Sequence, residues 1–323
     1  MEFFNVEKYL KDFRGKNIII GGRGIGKTYS SLRYILESKK KFIYLRNTDI
    51  QISECSSDFG NPFKRINKDL GYDIQVVKKK QHSNIIDNAI GDIIGYGCAL
   101  STFSNLRGVD LSDVEIVLFD EFIELKPLLF DQFKAFIHFY ETVNRNRELF
   151  GEPALMVLLL SNSQTLNNQI LMGYGLIEQI ETMTRKGQQK YKRDDIFLLL
   201  PESDISELKA NTAHYKALKG TAAYSEIIEN KFSNDSMYGV KKRPLVEYKP
   251  VCKIDDLYIY LHKSNRKFYV CYTQALNIKE YSSKDNKLMF YKDLGKILFR
   301  EYPAGNVEFS SFLAKSQMLK IIM

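Results

Sequence analysis

A chain of 323 residues, 44% hydrophobic and 27% charged, can bury a sizeable core, read here as two domains. No apolar run approaches the length that crosses a bilayer, which sets aside a helical membrane protein. The formal net charge of +8 and sequence pI of about 9.0 suit either a polyanionic partner such as nucleic acid or a solubilising surface.

Cys55, Cys98, Cys252 and Cys271 lie far apart with no C-x-x-C pair, and read as reduced thiols of a cytosolic protein. His82, His138, His214 and His262 are equally scattered, so a histidine-based metal site has no support. The opening Met1-Glu2-Phe3-Phe4-Asn5 lacks a basic stretch followed by an apolar one, so no secretory signal is expected. Basic residues cluster at Lys78-Lys79-Lys80, at Arg185-Lys186 with Lys190, Lys192 and Arg193, and at Lys241-Lys242-Arg243. Each cluster is either a solvated loop or a nucleic-acid contact.

Taken in order, residues 2–14 read as a short amphipathic helix. Asn17-Ile18-Ile19-Ile20 is an apolar, β-branched run that reads as a buried strand. Then comes Gly21-Gly22-Arg23-Gly24-Ile25-Gly26-Lys27-Thr28, a full match to G-x-x-x-x-G-K-[ST]. A helix is expected from Tyr29 to Ser38, with Leu32, Ile35 and Leu36 at helical spacing. The glycines allow a tight loop with positive φ and no side chains in the way. Successive N–H groups can wrap phosphates, backed by the positive end of the helix. Lys27 would reach the β- and γ-phosphates, and the Thr28 hydroxyl would ligate Mg²⁺.

Residues 41–46 read as a second core strand and 59–70 as a short helix. Short strands at 74–77, 84–86 and 92–100 form a β-rich insertion. Glu115-Ile116-Val117-Leu118-Phe119-Asp120-Glu121 is an apolar strand ending in two carboxylates. In parallel sheets ligands bind at the carboxyl ends of strands, which brings this pair beside the glycine loop. Asp120 is placed to hold Mg²⁺, and Glu121 to orient and deprotonate a water attacking the γ-phosphate.

A long helix over 128–149 follows, with Phe130, Phe133, Phe136, Ile137 and Tyr140 as its buried stripe. The strand 154–160 ends in Ser161-Asn162-Ser163, where a polar side chain can sense the γ-phosphate or position the water. A helix over 165–181 and a strand over 195–200 close the sheet before Pro201. The strand order and adjacent carboxylates are typical of ring and translocating ATPases. No N-K-x-D guanine-reading motif is present, so ATP is the expected nucleotide. The expected fold is therefore α/β, a P-loop NTPase of the ASCE or RecA-like type. Its motor domain spans 1–201, a helical linker 202–243, and a small β-rich, tyrosine-rich domain 244–323. Within the last, 257–262 and 267–272 read as a hairpin, 291–301 as a helix and 309–322 as a final segment.

The sequence resembles the podovirus-type DNA encapsidation ATPases, relatives of the large terminases. The resemblance rests on GGRGIGKT at 21–28, YLRN at 44–47, STFSNLRG at 101–108 and VEIVLFDEF at 114–122. It implies a homomeric ring on the prohead portal that spends Mg-ATP to pull double-stranded DNA into a capsid. It places the chain in the host cytoplasm, transiently on the prohead and absent from the mature virion. By the same resemblance Arg23 contacts the phosphates, Arg46 and Arg107 lie near the nucleotide or a subunit boundary, and Tyr29 follows the phosphate loop in the binding segment. Arg145 or Arg147 is the expected trans-acting arginine finger, a device worth roughly 10³ to 10⁵ in rate.

Large terminases carry an RNase H-like nuclease whose metals need clustered carboxylates. Here Leu257 to Leu261 and Phe268 to Tyr272 contain no acid, while Asp255, Asp256 and Asp293 are flanking or distant. A vestigial nuclease fold that contacts portal, scaffold RNA or DNA without cutting is expected. Two other readings stay open: another phage assembly ATPase, and a nucleotide-gated DNA-binding adaptor with little turnover. Glu121 argues against the adaptor, because a pure switch can dispense with a catalytic base.

Overall fold

The structure is a computed structural model. It describes residues 3–322 except 107–109, 125–127, 129, 163–164, 167, 222–223, 225–227 and 229–238. The chain divides into two compact units, Met1–Gly173 with Thr182–Asn234, and Tyr174–Glu181 with Asp235–Met323.

The first unit is built on a nine-stranded sheet. Its strands are β1 (Lys16–Gly21), β2 (Phe42–Arg46), β3 (Ile74–Lys78), β4 (Ser83–Asp87), β5 (Asp92–Ala99), β6 (Ile116–Asp120), β7 (Met156–Asn162), β8 (Lys190–Arg193) and β9 (Ile196–Leu199). Their spatial order is β3-β4-β5-β2-β6-β7-β1-β9-β8. The six strands from β5 to β9 in that order run parallel, and antiparallel β4-β3 and β8 extend the two edges. A parallel sheet covered on both faces needs strands apolar on both faces. β1, β6 and β7 meet that demand: Ile18, Ile19, Val117, Leu118, Phe119 and Leu159 are fully buried. The expected β-rich insertion is thus a meander inside the main sheet, because β5 pairs in register with β2.

Helices differ from the sequence reading where a local backbone rule outweighs periodicity. The N-terminal segment is a 3₁₀ helix, Val6–Asp12, capped by the Asn5 side chain accepting from Glu7 N–H. After α1 (Lys27–Ser38), the single helix read over 59–70 is preceded by an unforeseen α2 (Asp49–Glu54) and shortened to α3 (Lys64–Leu70). The long helix over 128–149 contracts to α4 (Gln132–Asn144). Asp131 caps its start, and left-handed Arg145 (φ 46°) and Asn146 (φ 58°) end it. Its buried stripe includes Phe139 and Val143 in addition to Phe136 and Tyr140, while Ile137 is only half-buried. The helix read over 165–181 breaks into α5 (Gln169–Gly173) and α6 (Ile177–Lys186) around Gly175, whose φ is 64°. Beyond β9 come α7 (Asp204–Ala210) and α8 (Ala213–Ala217).

The second unit carries a five-stranded mixed sheet of β10 (Tyr248–Ile254), β11 (Leu257–His262), β12 (Phe268–Cys271), β13 (Lys279–Tyr281) and β14 (Val307–Phe309). The order is β13-β10-β11-β12-β14, antiparallel across β10-β11-β12 and parallel at both edges. A helical run from Lys287 to Glu301, with a π-helical turn at Tyr291–Gly295, and α-helix Phe312–Ile322 supply Phe290, Leu298, Ala314 and Met318 to its apolar core. This is a small α+β domain, and the expected hairpin is its centre. Three of its strands, β10, β13 and β14, were not foreseen. β13 and β14 bring in two carboxylates, exposed Glu280 and buried Glu308, beyond the two central strands, which are free of acids as read.

Candidate nucleotide-binding site

The loop between β1 and α1 sits at the carboxyl edge of the parallel sheet, where strand ends deliver their side chains. Two loop glycines use the left-handed region, Gly24 (φ 74°) and Gly26 (φ 97°). Gly26 is the N-cap of α1, so the free N–H groups of the helix start open into the loop. Gly21 serves close approach instead: a Cβ there would come 3.0 Å from Cγ of Pro201. Buried Ile25 anchors the loop, its carbonyl accepting from Phe4 N–H at 2.9 Å.

A cleft of about 290 Å³ opens on this loop, lined by Arg23, Gly24, Gly26, Lys27, Thr28, Tyr29, Asp120, Glu121, Ser161 and Asn162. Lys27 is buried. Its ammonium donates to the carbonyls of Gly21 (3.0 Å) and Gly22 (2.7 Å) and to Asn162 Oδ1 (3.1 Å). Burial pushes Lys27 down to about 8, against the opposing pull of Asp120. β7, lying between β1 and β6, delivers Asn162 directly opposite Gly21. Tyr29 lines the cleft wall, its phenol pushed up by burial and by Asp69. Arg23 is exposed at the mouth.

The two carboxylates differ in setting. Asp120 is buried and accepts from Thr28 Oγ1 at 3.0 Å and from the Tyr44 hydroxyl at 2.9 Å. Burial raises its pKa, and the Arg46 charge and the Tyr44 bond oppose the rise. The Glu121 side chain is half exposed, and its backbone is left-handed at φ 52°. Arg46 Nη2 meets Glu121 Oε2 at 2.6 Å and Arg46 Nη1 lies 3.8 Å from Asp120 Oδ2. Burial works against the Arg46 charge, but Tyr44, Asp120 and Glu121 outweigh it and hold the guanidinium above its ordinary value.

A left-handed glutamate needs holding, and buried amides do it. Asn47 Nδ2 donates to the Glu121 carbonyl at 3.1 Å, while Gln132 Nε2 donates to Asn47 Oδ1 (2.7 Å) and the Phe122 carbonyl (2.6 Å). Asn168 Nδ2 in turn donates to Gln132 Oε1 at 2.8 Å. Sequence reasoning missed Tyr44, Gln132 and Asn168 as supports. The available signal was an amide or hydroxyl inside otherwise apolar runs, but the residues lie on β2, on α4 and just ahead of α5 and meet only in the fold.

The two candidate finger arginines lie elsewhere. Arg145 Nη1 pairs with Asp110 at 3.0 Å and Arg147 Nη2 donates to the Ser112 carbonyl at 2.6 Å, both in the segment leading into β6. They therefore sit at the sheet edge opposite the cleft, the length of β6 away, roughly 16 Å. Arg147 is 7% exposed and clamps its own fold; the Arg145 side chain is 43% exposed. Arg107 lies outside the described residues.

The residues present fit magnesium and a nucleoside triphosphate. Thr28 and Asp120 are adjacent hard oxygen donors, and loop amides with Lys27 face the same space. A parallel sheet with this loop, and an acid pair on a strand one removed from it, defines a P-loop NTPase domain. The sequence pattern of the family Podovirus DNA encapsidation protein (Gp16) matches residues 1–290. The DNA packaging protein of Bacillus phage phi29 is 27% identical over 249 residues, 75% of this chain and 69% of the relative. That of Bacillus phage B103 is 27% identical over 235 residues, 70% and 67% of the two. In fold, the chain resembles the phi28 gp11 DNA packaging motor with a TM-score of 0.63 at 20% identity, covering 99% of this chain and 98% of that one. It resembles the bacteriophage phi29 viral genome packaging motor assembly with a TM-score of 0.65 at 19% identity, covering 100% of both. The chain belongs to the podovirus DNA encapsidation protein (Gp16) family, and viral DNA packaging is its function.

Proposed function

We propose that this chain is the ATPase subunit of the packaging motor, hydrolysing Mg-ATP to translocate double-stranded DNA into a prohead. The observation that carries it is the convergence of Lys27, Thr28, Asp120, Glu121 and Asn162 on one cleft. Thr28 and Asp120 would hold Mg²⁺, which neutralises phosphate charge. Arg23, Lys27 and the amides of residues 21–28 bind and orient the phosphates. Glu121 accepts the proton of the attacking water, and Asn162 holds Lys27 in place. Arg46, bonded to Glu121, sets where that carboxylate points.

Assembly as a homomeric ring on the portal is the arrangement that the likeness to packaging-motor proteins supports, and a scaffold RNA is a further partner proposed with it. Within such a ring Arg145 is the better finger candidate, because Arg147 is buried in its own fold. In the second unit the Arg243 guanidinium grips Glu308 with bonds of 2.7 and 2.9 Å, and Lys241 and Lys267 each approach it to 3.8 Å. A carboxylate so neutralised is a poor metal ligand, which supports a docking role for this unit over cleavage.

The test is Glu121→Gln, expected to bind ATP and lose nearly all turnover; surviving hydrolysis would remove Glu121 from its role. DNA affinity should fall steeply with salt. Mixing Arg145→Ala with Glu121→Gln subunits should restore some hydrolysis, and no rescue in any ratio would place the finger outside Arg145.

A further inference from the structure

The chain that leaves the sheet after β9 returns to the phosphate loop. Pro201 packs on Gly21, and α7, capped by Ser203, then carries Lys209 to the outer turn of the same loop. The Lys209 ammonium donates to the Arg23 carbonyl, and a Cβ on Gly24 would lie 2.8 Å from its Nζ.

Several other lysines of this unit bind back to the fold through acids, among them Lys16 to Asp195 (2.7 Å), Lys41 to Asp113 (2.7 Å) and Lys78 to Asp49 (2.8 Å), while Lys64, like Lys27, uses a backbone carbonyl. Lys209 does not use an acid. Among the described residues no carboxylate pairs with either Lys209 or Arg23. Arg23, Lys27 and Lys209 thus crowd one loop as three cations. Burial and the Arg23 charge both push the Lys209 ammonium down, and the Lys209 charge acts on Lys27 in the same direction. A carbonyl could be satisfied by any neutral donor, so a partly buried ammonium is an unfavourable choice for that bond alone. An anion on the loop turns the same crowding into attraction.

We propose that Lys209 is a phosphate-binding residue of the nucleotide site, exchanging the Arg23 carbonyl for a phosphate oxygen of the bound triphosphate. The exchange ties α7, and the segment 203–221 that it begins, to occupancy of the loop. This rests on the nucleotide reading of the cleft and adds a ligand to it from an element outside the loop motif.

The test uses the full chain and a fluorescent, non-hydrolysable ATP analogue with Mg²⁺. Lys209→Ala should weaken binding roughly tenfold, the worth of one charge-assisted bond, and Lys209→Arg should recover most of it. Hydrogen exchange across 203–210 should slow on adding the analogue to the native chain and to Lys209→Arg, and stay unchanged in Lys209→Ala. Affinity within twofold of native in Lys209→Ala, with exchange still responsive, overturns the proposal. So does an equal loss in both variants with a lowered melting temperature, which would mark a structural bond. Lys27→Ala is the control. If it too binds the analogue normally, the nucleotide site itself is misplaced and the proposal falls with it.

Discussion

Asp120 ends a strand of the parallel sheet in one unit, and Glu308 lies within a strand of the mixed sheet in the other; both are buried. Asp120 is met by two hydroxyls, with its nearest cation at 3.8 Å, and its pKa is raised by burial. Glu308 is met by a bidentate guanidinium and two lysines, and the Arg243 bonds hold its pKa below the usual carboxylate range. The first arrangement leaves negative charge under-compensated at the mouth of a cleft, as a divalent cation site requires. The second is already more than compensated, with three cations around one acid. A buried acid is thus read by its partners and not by its burial: hydroxyl partners leave it able to take a metal, cation partners use it up.

The largest effect should come from the cleft. Glu121→Gln removes the base while keeping size and most bonds, so turnover should fall roughly 10² to 10⁴-fold with nucleotide binding retained. Asp120→Asn should abolish Mg²⁺-dependent tightening of nucleotide binding, measured by titration with and without the metal. If Glu308→Gln did the same, the contrast between the acids would be void. Arg46→Ala comes next. It releases Glu121 from its 2.6 Å bond, and misplacement of a catalytic group by about 1 Å can lower rate by roughly 10²-fold. Its signature is a fall in kcat with KM little changed; a KM effect alone would make Arg46 a binding residue instead.

The second unit answers in stability. Glu308→Gln leaves Arg243 and two lysines facing a neutral amide. Breaking a fully buried pair costs roughly 3–5 kcal/mol, and partial solvent at Arg243 lowers this to roughly 2–3 kcal/mol. Urea unfolding should show the loss, with Mg-nucleotide binding untouched. A stability change under about 0.5 kcal/mol would mean that the ion cluster is ornamental.

The cleft was legible in the sequence because its parts are short and contiguous: residues 21–28 carry their own turn chemistry, and Asp120-Glu121 end an unbroken apolar run. What supports them was not. Asn47, just past β2, Gln132, on α4, and Asn168, just ahead of α5, are single amides far apart in the chain, and no periodicity signals that they will meet beneath Glu121. Lys209 was hidden for the same reason, since α7 returns to the loop only through the bend at Pro201. Helix ends were misread where one left-handed residue decides them, as at Arg145 and Gly175. The second sheet was half seen, because β13 and β14 are three residues each, too short for alternation to show. With β14 went Glu308, and with it the comparison between the acids.

The smallest effect, and the finest test of that comparison, is the pH dependence of stability without nucleotide or metal. Glu308 has a folded pKa below its free value of 4.5, so its contribution is full above 4.5 and is lost as pH falls through the folded value. Asp120 has the opposite sign. Its folded pKa lies above the free value of 3.8, so the native state holds a proton that the unfolded chain has released. Stability from this group therefore declines as pH rises from 3.8 through the folded value, and the burial penalty is complete above it. Unfolding midpoints of the native chain, Glu308→Gln and Asp120→Asn between pH 3 and 7 should separate the two. Relative to native, Glu308→Gln should lose least at the acid end, whereas Asp120→Asn should gain most at the neutral end. Since Asp120→Asn also removes the site for the metal, a gain in stability at neutral pH alongside lost magnesium binding would identify burial of that charge as a cost the fold carries for its cleft. A loss at neutral pH would show instead that the Thr28 and Tyr44 hydroxyls, with Arg46 behind them, compensate Asp120 as fully as the cations compensate Glu308.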